Sequence, residues 1–169
     1  MASNPAPHAA RPRARRAAAD PLALDDQLCF ALYSAALAMT KRYRPLLDAL
    51  GLTYPQYLVM LALWEGDGLS VSALGERLRL DSGTLTPLLK RLEALGLLRR
   101  LRASDDERRV CLTLTPAGRQ LRRRALAIPG QLAQALGCTA AERDALTAAL
   151  RALRDTMTLE AGAPASAAA

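Results

Sequence analysis

Histidine is almost missing from this chain: His8 is the one example in 169 residues. Cysteine is scarce too, with Cys29, Cys111 and Cys138 odd in number and far apart. No CxxC pair and no Cys/His cluster at ligand spacing occurs, so no metal, cofactor or disulfide framework is expected. Long apolar runs are absent as well. Nothing approaches the roughly 20 residues of a membrane span, and no membrane partner is expected. The basic N-terminal stretch has no apolar segment after it, so it does not read as a secretory signal, and a cytoplasmic protein is the expectation. Aromatic residues are few, and all lie between Phe30 and Trp64: Phe30, Tyr33, Tyr43, Tyr54, Tyr57 and Trp64. Any site built from rings is therefore confined to that stretch.

What is present suits one domain. About half of the residues are apolar, enough for a core at this length. The net charge of +7 is unevenly spread. Residues 81–124 carry eleven cations against five acids, and residues 1–24 carry four arginines against one aspartate. The other stretches are close to neutral. Positive charge gathered in one region is the electrostatic footprint of a nucleic-acid binder.

The basic region has internal order. Leu85, Leu88, Leu89, Leu92 and Leu95 fall on one helical face, with Asp81 or Ser82 as a cap and Gly96 as a stop. The other face carries Ser82, Thr84, Thr86, Lys90 and Arg91. Short polar groups near the N-terminus and cations behind them suit a helix whose first turns enter the major groove while its flank meets phosphate. Two short runs follow, Leu97–Arg102 and Arg108–Leu114, around a polar tip at residues 103–107. Val110, Leu112 and Leu114 alternate with Arg109, Cys111 and Thr113, so the pair reads as a β-hairpin. Helix plus basic hairpin gives a winged helix-turn-helix.

The expected architecture is mainly α with a small β-wing, the DNA-binding core flanked by dimerisation helices. A basic tail at 1–20 is expected to be disordered, as is an Ala-rich tail at 161–169. Between them, 21–160 reads as a single domain, with the winged helix-turn-helix over 53–114. A helix from Asp25, its N-cap, to about Leu50 and helices within 115–160 supply the broad Leu/Ala faces of a homodimer over 24–50 and 115–160. Thr53 with Pro55, Thr115 with Pro116, and Thr139 with Glu142 mark helix starts, and Pro129-Gly130 marks a kink or break. A dimer of such heads suits double-stranded, palindromic operator DNA with half-sites about one turn apart.

Cys29 is expected near the start of the first helix, where the positive end of the helix attracts a thiolate and the neighbouring aspartates oppose it. It reads either as a small core hydrophobe or as a reactive thiol. Tyr33 is four residues on and shares its face. Tyr43 is fourteen residues on, about 21 Å along a continuous helix, and cannot touch the Cys29 of its own chain.

Several strings resemble a known family. Asp106-Glu107-Arg108 with Leu114-Thr115 and Gly118 resembles the wing motif of the MarR family of winged-helix repressors. Leu28-Cys29-Phe30, Met39-Thr40-Lys41, Pro45-Leu46-Leu47-Asp48, Leu52-Thr53-Tyr54-Pro55-Gln56-Tyr57-Leu58 and Leu80-Asp81-Ser82-Gly83-Thr84-Leu85-Thr86-Pro87 resemble the organic hydroperoxide resistance regulators, OhrR, over about residues 24–129. The resemblance implies a homodimeric transcriptional repressor, not an enzyme, that leaves its operator when an organic hydroperoxide oxidises Cys29. It implies that phenols matching Tyr43 and Tyr54 reach the sulfur from the partner subunit, that Tyr33 completes the pocket, and that Phe30 and Trp64 make its surround apolar. It implies Arg108 in the minor groove. Some members of the family then form an intersubunit disulfide, and Cys138 fits the second position; others are capped by a small thiol. The two-cysteine ending is expected here, with Cys111 a bystander. Two other readings remain: a repressor released by a non-covalent phenolic ligand, and a thiol peroxidase, which leaves the basic reading head without a use.

Overall fold

The computed structural model describes residues 20–102 and 110–161. The fold is mainly helical with one two-stranded antiparallel ribbon: α1 (Leu28–Asp48), α2 (Tyr54–Glu65), α3 (Val71–Leu78), α4 (Ser82–Ala94), β1 (Leu98–Arg102), β2 (Val110–Leu114), α5 (Pro116–Ala125), α6 (Ile128–Leu136) and α7 (Ala140–Ala161). The chain divides between Met39 and Thr40 into two compact units, and α1 crosses the division. The tails, the tip of the wing and Arg108 lie outside the described residues.

In the first unit, Leu24–Asp26 forms a short 3-10 turn ahead of α1. The first helix therefore starts at Leu28 rather than at Asp25, and Asp25 does not cap it. The cause is Gln27. Its backbone is extended, at φ −80° and ψ 123°, and its side-chain amide donates back to the carbonyls of Pro21 (2.7 Å) and Ala23 (3.1 Å). A residue held that way cannot continue a helix. Leu28, Tyr33 and Leu37 stand exposed along this part of α1.

The second unit holds the core. Thr53 and Gln56 form a capping box at the head of α2, with the backbone N–H of Thr53 donating to Gln56 Oε1 at 2.8 Å. Tyr57, Val59, Met60, Ala62 and Leu63 are all buried, so α2 is covered on more than one face and forms the centre of the unit. Fully burying a large side chain of this kind stabilises by about 1.5–3 kcal/mol. Around α2 pack Leu74 of α3, Leu85, Leu89 and Leu92 of α4, Leu98 and Leu112 of the ribbon, and Leu121 of α5. Leu95, counted from sequence in the apolar stripe of α4, is 53% exposed, because it is the C-terminal cap and no longer faces α2.

The ribbon pairs Leu98 with Leu114 and Arg102 with Val110 at its ends. A third segment borders it: Leu112 donates to the carbonyl of Leu69 (2.8 Å) and accepts from the N–H of Gly68 (3.0 Å). At the base, Thr115 is the joint. Its hydroxyl donates to the Gly96 carbonyl at 2.6 Å and accepts from the Gly118 N–H at 3.0 Å. Gly118 is obligatory here, since a Cβ would lie 2.0 Å from the carbonyl oxygen of Leu97. Asp67 closes the same corner, accepting from the N–H of Leu114 and from the guanidinium of Arg119, each at 2.8 Å.

α5 ends at Ala125, and Pro129-Gly130, expected as a kink or break, lies inside the helix that follows. Pro129 sits in the first turn of α6, where its fixed φ suits a helix start and its missing N–H is no loss. The Thr139–Glu142 capping box opens α7, with Glu142 Oε2 accepting from the Thr139 N–H at 2.8 Å. No side chain from Ala140 to Thr158 is buried, and Leu146, Leu150 and Met157 are exposed. No helix among the described residues is long and apolar enough to cross a membrane.

Candidate redox site and nucleic-acid interface

The helix-turn-helix is α3, a turn and α4. Ser70 caps α3, its Oγ accepting from the N–H of Ala73 at 3.1 Å. Arg79 ends it in the left-handed region, at φ 56° and ψ 40°. Asp81 then caps α4. One carboxylate oxygen accepts from the Thr84 N–H at 2.8 Å and the other from the Thr84 hydroxyl at 2.9 Å. The two bonds hold the Asp81 carboxyl below its ordinary range. At the far end, Gly96 takes φ +69° and the N–H of Leu97 bonds the Leu92 carbonyl at 3.0 Å, a Schellman closure.

Of the residues expected on DNA, Ser82, Thr84, Lys90 and Arg91 are exposed and Thr86 is half-buried. The hydroxyl of Thr86 donates to the Ser82 carbonyl at 2.7 Å. Both threonine hydroxyls are thus committed as donors to their own helix and offer lone pairs outward, whereas the Ser82 hydroxyl makes no bond with the described residues. On β1, Arg99 and Arg102 are exposed beside this head.

Cys29 is the second residue of α1, in its first turn, exposed and free. Tyr33 shares that helix and is 62% exposed. In the second unit, Tyr43 and Tyr54 pack with ring centroids 4.7 Å apart, and Tyr57 lies 5.8 Å from Tyr43. Trp64 meets Tyr57 edge-on at 6.2 Å. Burial first, then the neighbouring phenols, pushes Tyr43 up to about 12, and burial raises Tyr54 and Tyr57 as well. Three neutral phenols, all hydrogen-bond donors at physiological pH, are gathered in one place. A cavity of about 170 Å³ lies alongside, lined by Tyr57, Leu61, Trp64, Ala125, Leu126 and Pro129 among others. Cys138 is half-buried two residues before α7, and Cys111 is half-buried on β2 opposite Leu101. No group of three or more His, Cys, Asp or Glu among the described residues is placed to hold a metal ion.

Residues 41–124 match the family model described as the transcriptional regulator SarA/Rot. The chain is 53% identical over 143 residues to the HTH-type transcriptional regulator TtmR of Methylorubrum extorquens, covering 85% of this chain and 73% of that protein. It is 53% identical over 113 residues to the organic hydroperoxide resistance transcriptional regulator of Bacillus subtilis, covering 67% and 77%. Among solved structures it resembles reduced AbfR bound to DNA, with a TM-score of 0.70, 36% identity, and 80% and 92% of the two chains covered. The chain belongs to the MarR/SarA family of winged-helix regulators. Within that family it falls in the organic hydroperoxide resistance subgroup, and it is a DNA-binding transcriptional regulator. The proteins it matches in sequence are regulators and not enzymes.

As a MarR-type chain it carries two features that the sequence reading passed over. Tyr57 belongs to the phenol cluster; the signal was its place three residues after Tyr54, on the same face of α2. Asp67 locks the wing to α5, and only the fold brings its three partners together.

Proposed function

We propose that this regulator is a homodimeric repressor that senses organic hydroperoxides through Cys29 and then lets go of a palindromic operator. The observation that carries the reading is the separation of sulfur and phenols along one helix. α1 runs unbroken from Leu28 to Asp48 and bears both Cys29 and Tyr43, about 21 Å apart by helical rise. An exposed thiol and a cluster of neutral phenols, Tyr57 buried and Tyr43 and Tyr54 half-buried, complement each other when two chains are brought together. The exposed apolar residues of α1 and α7 supply the faces for such pairing.

The chemistry balances simply. The thiolate sulfur attacks the distal peroxide oxygen, the O–O bond breaks, and the alkoxide takes up a proton to leave as an alcohol; Cys29 is oxidised to the sulfenic acid. Phenol hydrogen bonds from Tyr43 and Tyr54 of the partner subunit hold the sulfur in place, with Tyr33 at the edge of the pocket. Phe30 and Trp64 make the surround apolar, and the small cavity beside Trp64, rimmed also by Glu65 and Arg122, offers an alkyl group the faces of Tyr57, Leu61 and Leu126. The thiol of Cys138 on the other chain then displaces water from the sulfenic acid to give an intersubunit disulfide, with Cys111 taking no part. A disulfide-formed AbfR, 34% identical with a TM-score of 0.57, supports such an ending in a relative. On DNA, α4 enters the major groove with Ser82, Thr84 and Thr86 at its tip, Lys90 and Arg91 on phosphate, and Arg108 in the minor groove.

The test is a gel shift on a duplex selected from a random pool by the reduced protein. Cumene hydroperoxide is expected to release wild type and to leave Cys29→Ser bound. Equal release of both proteins refutes the sensor assignment and favours a reversible ligand. Non-reducing mass analysis is expected to find Cys29 joined to Cys138 between chains; a mixed disulfide with added small thiol alone removes Cys138 from the mechanism.

A further inference from the structure

The described positions with positive φ are Gly51, Gly68, Gly96, Gly137 and Arg79. The left-handed region favours glycine because an L side chain crowds the following carbonyl. Four of the five positions obey that preference. The fifth puts an arginine in the turn between α3 and α4. Nothing in the turn requires it. Its two closing bonds, Arg79 N–H to the Glu76 carbonyl (3.3 Å) and Leu80 N–H to the Gly75 carbonyl (3.0 Å), are main-chain bonds that glycine would make equally well. The side chain is exposed and fills no core position. Its guanidinium makes no hydrogen bond or ion pair with the described residues, and the carboxylate two residues on, Asp81, is committed to Thr84. A strained residue whose side chain bonds none of the described residues directs attention to a partner such as DNA.

Its place says what. Arg79 stands three residues before Ser82, so the two Cα atoms are at most roughly 11 Å apart at 3.6 Å per residue. The major groove is about 12 Å wide. A cation at that distance from the tip of α4 falls on the phosphates that flank the groove where the helix enters. The planar fork of arginine matches phosphate oxygens.

We propose that Arg79 is a phosphate contact made from the turn of the helix-turn-helix, positioning α4 against the DNA backbone, and that the left-handed strain persists for the sake of that contact. Such a residue positions the helix and reads no base.

Three full-length variants test this on a duplex selected by the wild-type protein, with affinity followed across a potassium chloride series. Arg79→Gly and Arg79→Asn both suit the left-handed turn. They are expected to bind roughly tenfold more weakly. The slope of log affinity against log salt is expected to fall by about 0.9 per protomer engaged, with an unchanged base preference. Their thermal midpoints are expected to match or exceed that of wild type. Arg79→Lys keeps the charge and is expected to keep the slope. Wild-type affinity and slope in Arg79→Gly and Arg79→Asn overturn the proposal. So does a loss of affinity at constant slope, which marks a structural role.

Discussion

The indole Nε1 of Trp64 donates to the carbonyl of Gly118 at 2.9 Å, joining positions 54 apart in the chain. One partner ends the run of rings that begins at Tyr54 and Tyr43; the other lies at the base of the wing, against Leu97. The bond therefore ties the phenol cluster to the part of the molecule that carries the ribbon. Trp64→Phe keeps a ring against Tyr57 and removes only the donor. Loss of one hydrogen bond of this kind costs about 1 kcal/mol. At this chain length that lowers the thermal midpoint by roughly 2–4 °C. Calorimetry of the reduced variant checks the figure, and an unchanged midpoint would mean that the bond contributes nothing net.

Two glycines in neighbouring helices should respond in opposite directions to the same change. In Gly118→Ala the new methyl would lie 2.0 Å from the Leu97 carbonyl, backbone against backbone, with the Thr115 joint preventing retreat. A loss of 2 kcal/mol or more is expected, on the order of the overpacking penalties in tight cores. Gly130 lies inside α6 with nothing within 4 Å of its added Cβ. Gly130→Ala is expected to stabilise by about 0.5–1 kcal/mol through helix propensity. Urea titrations of the two variants side by side give both signs in one experiment.

Those two glycines also mark how far sequence reading reaches. The caps at Thr115 and Thr139, and the one offered at Asp81 or Ser82 that Asp81 fills, were legible because each is settled by a side chain and a backbone N–H three residues later, while at Thr53 the Gln56 side chain three residues on accepts from the Thr53 N–H. The hairpin was legible from its alternation, and α4 from its leucines. The start of α1 was not, because it depends on Gln27 reaching back to Pro21 and Ala23 rather than on the acids beside it. α6 was not, because Pro129-Gly130 carries the same letters whether a helix stops or starts there. Within the candidate site, Tyr43 and Tyr54 were legible as a pair through the family resemblance, while Tyr57 joined them only once α1 and α2 had packed. The proposed meeting of Cys29 with the phenols joins two chains, and a contact of that kind is written in no single sequence.

The raised tyrosine gives an alkaline limit with a definite sign. Tyr43 titrates near 10 when unfolded and at about 12 when folded. Below pH 10 both states hold the proton, and the contribution is fully present. Between pH 10 and 12 the unfolded chain loses its proton first, so stability falls as pH rises. After allowance for the exposed part of the ring, the loss attributable to Tyr43 is about 1 kcal/mol. Tyr43→Phe has no proton to lose there. Its urea midpoint is expected to fall less than that of wild type between pH 9.5 and 11.5. Parallel curves for the two proteins would mean that the Tyr43 phenol contributes nothing to the alkaline loss.

Lys90 lies exposed on α4, eight residues beyond Ser82 and two turns from the tip of the helix. A phosphate contact there contributes charge and no base reading, so Lys90→Ala is expected to weaken every duplex alike and to lower the salt slope by about 0.9 per protomer. Ser82→Ala, at the tip, is expected to do the reverse, changing the preferred bases while leaving the slope alone. Arg79 and Lys90 belong to separate elements and share no described partner, so their losses in slope should add in the double variant. A double variant with only one increment of loss would mean that both cations serve a single phosphate. The turn and the flank of α4 would then grip the backbone at one point instead of two, and α4 would be free to pivot in the groove.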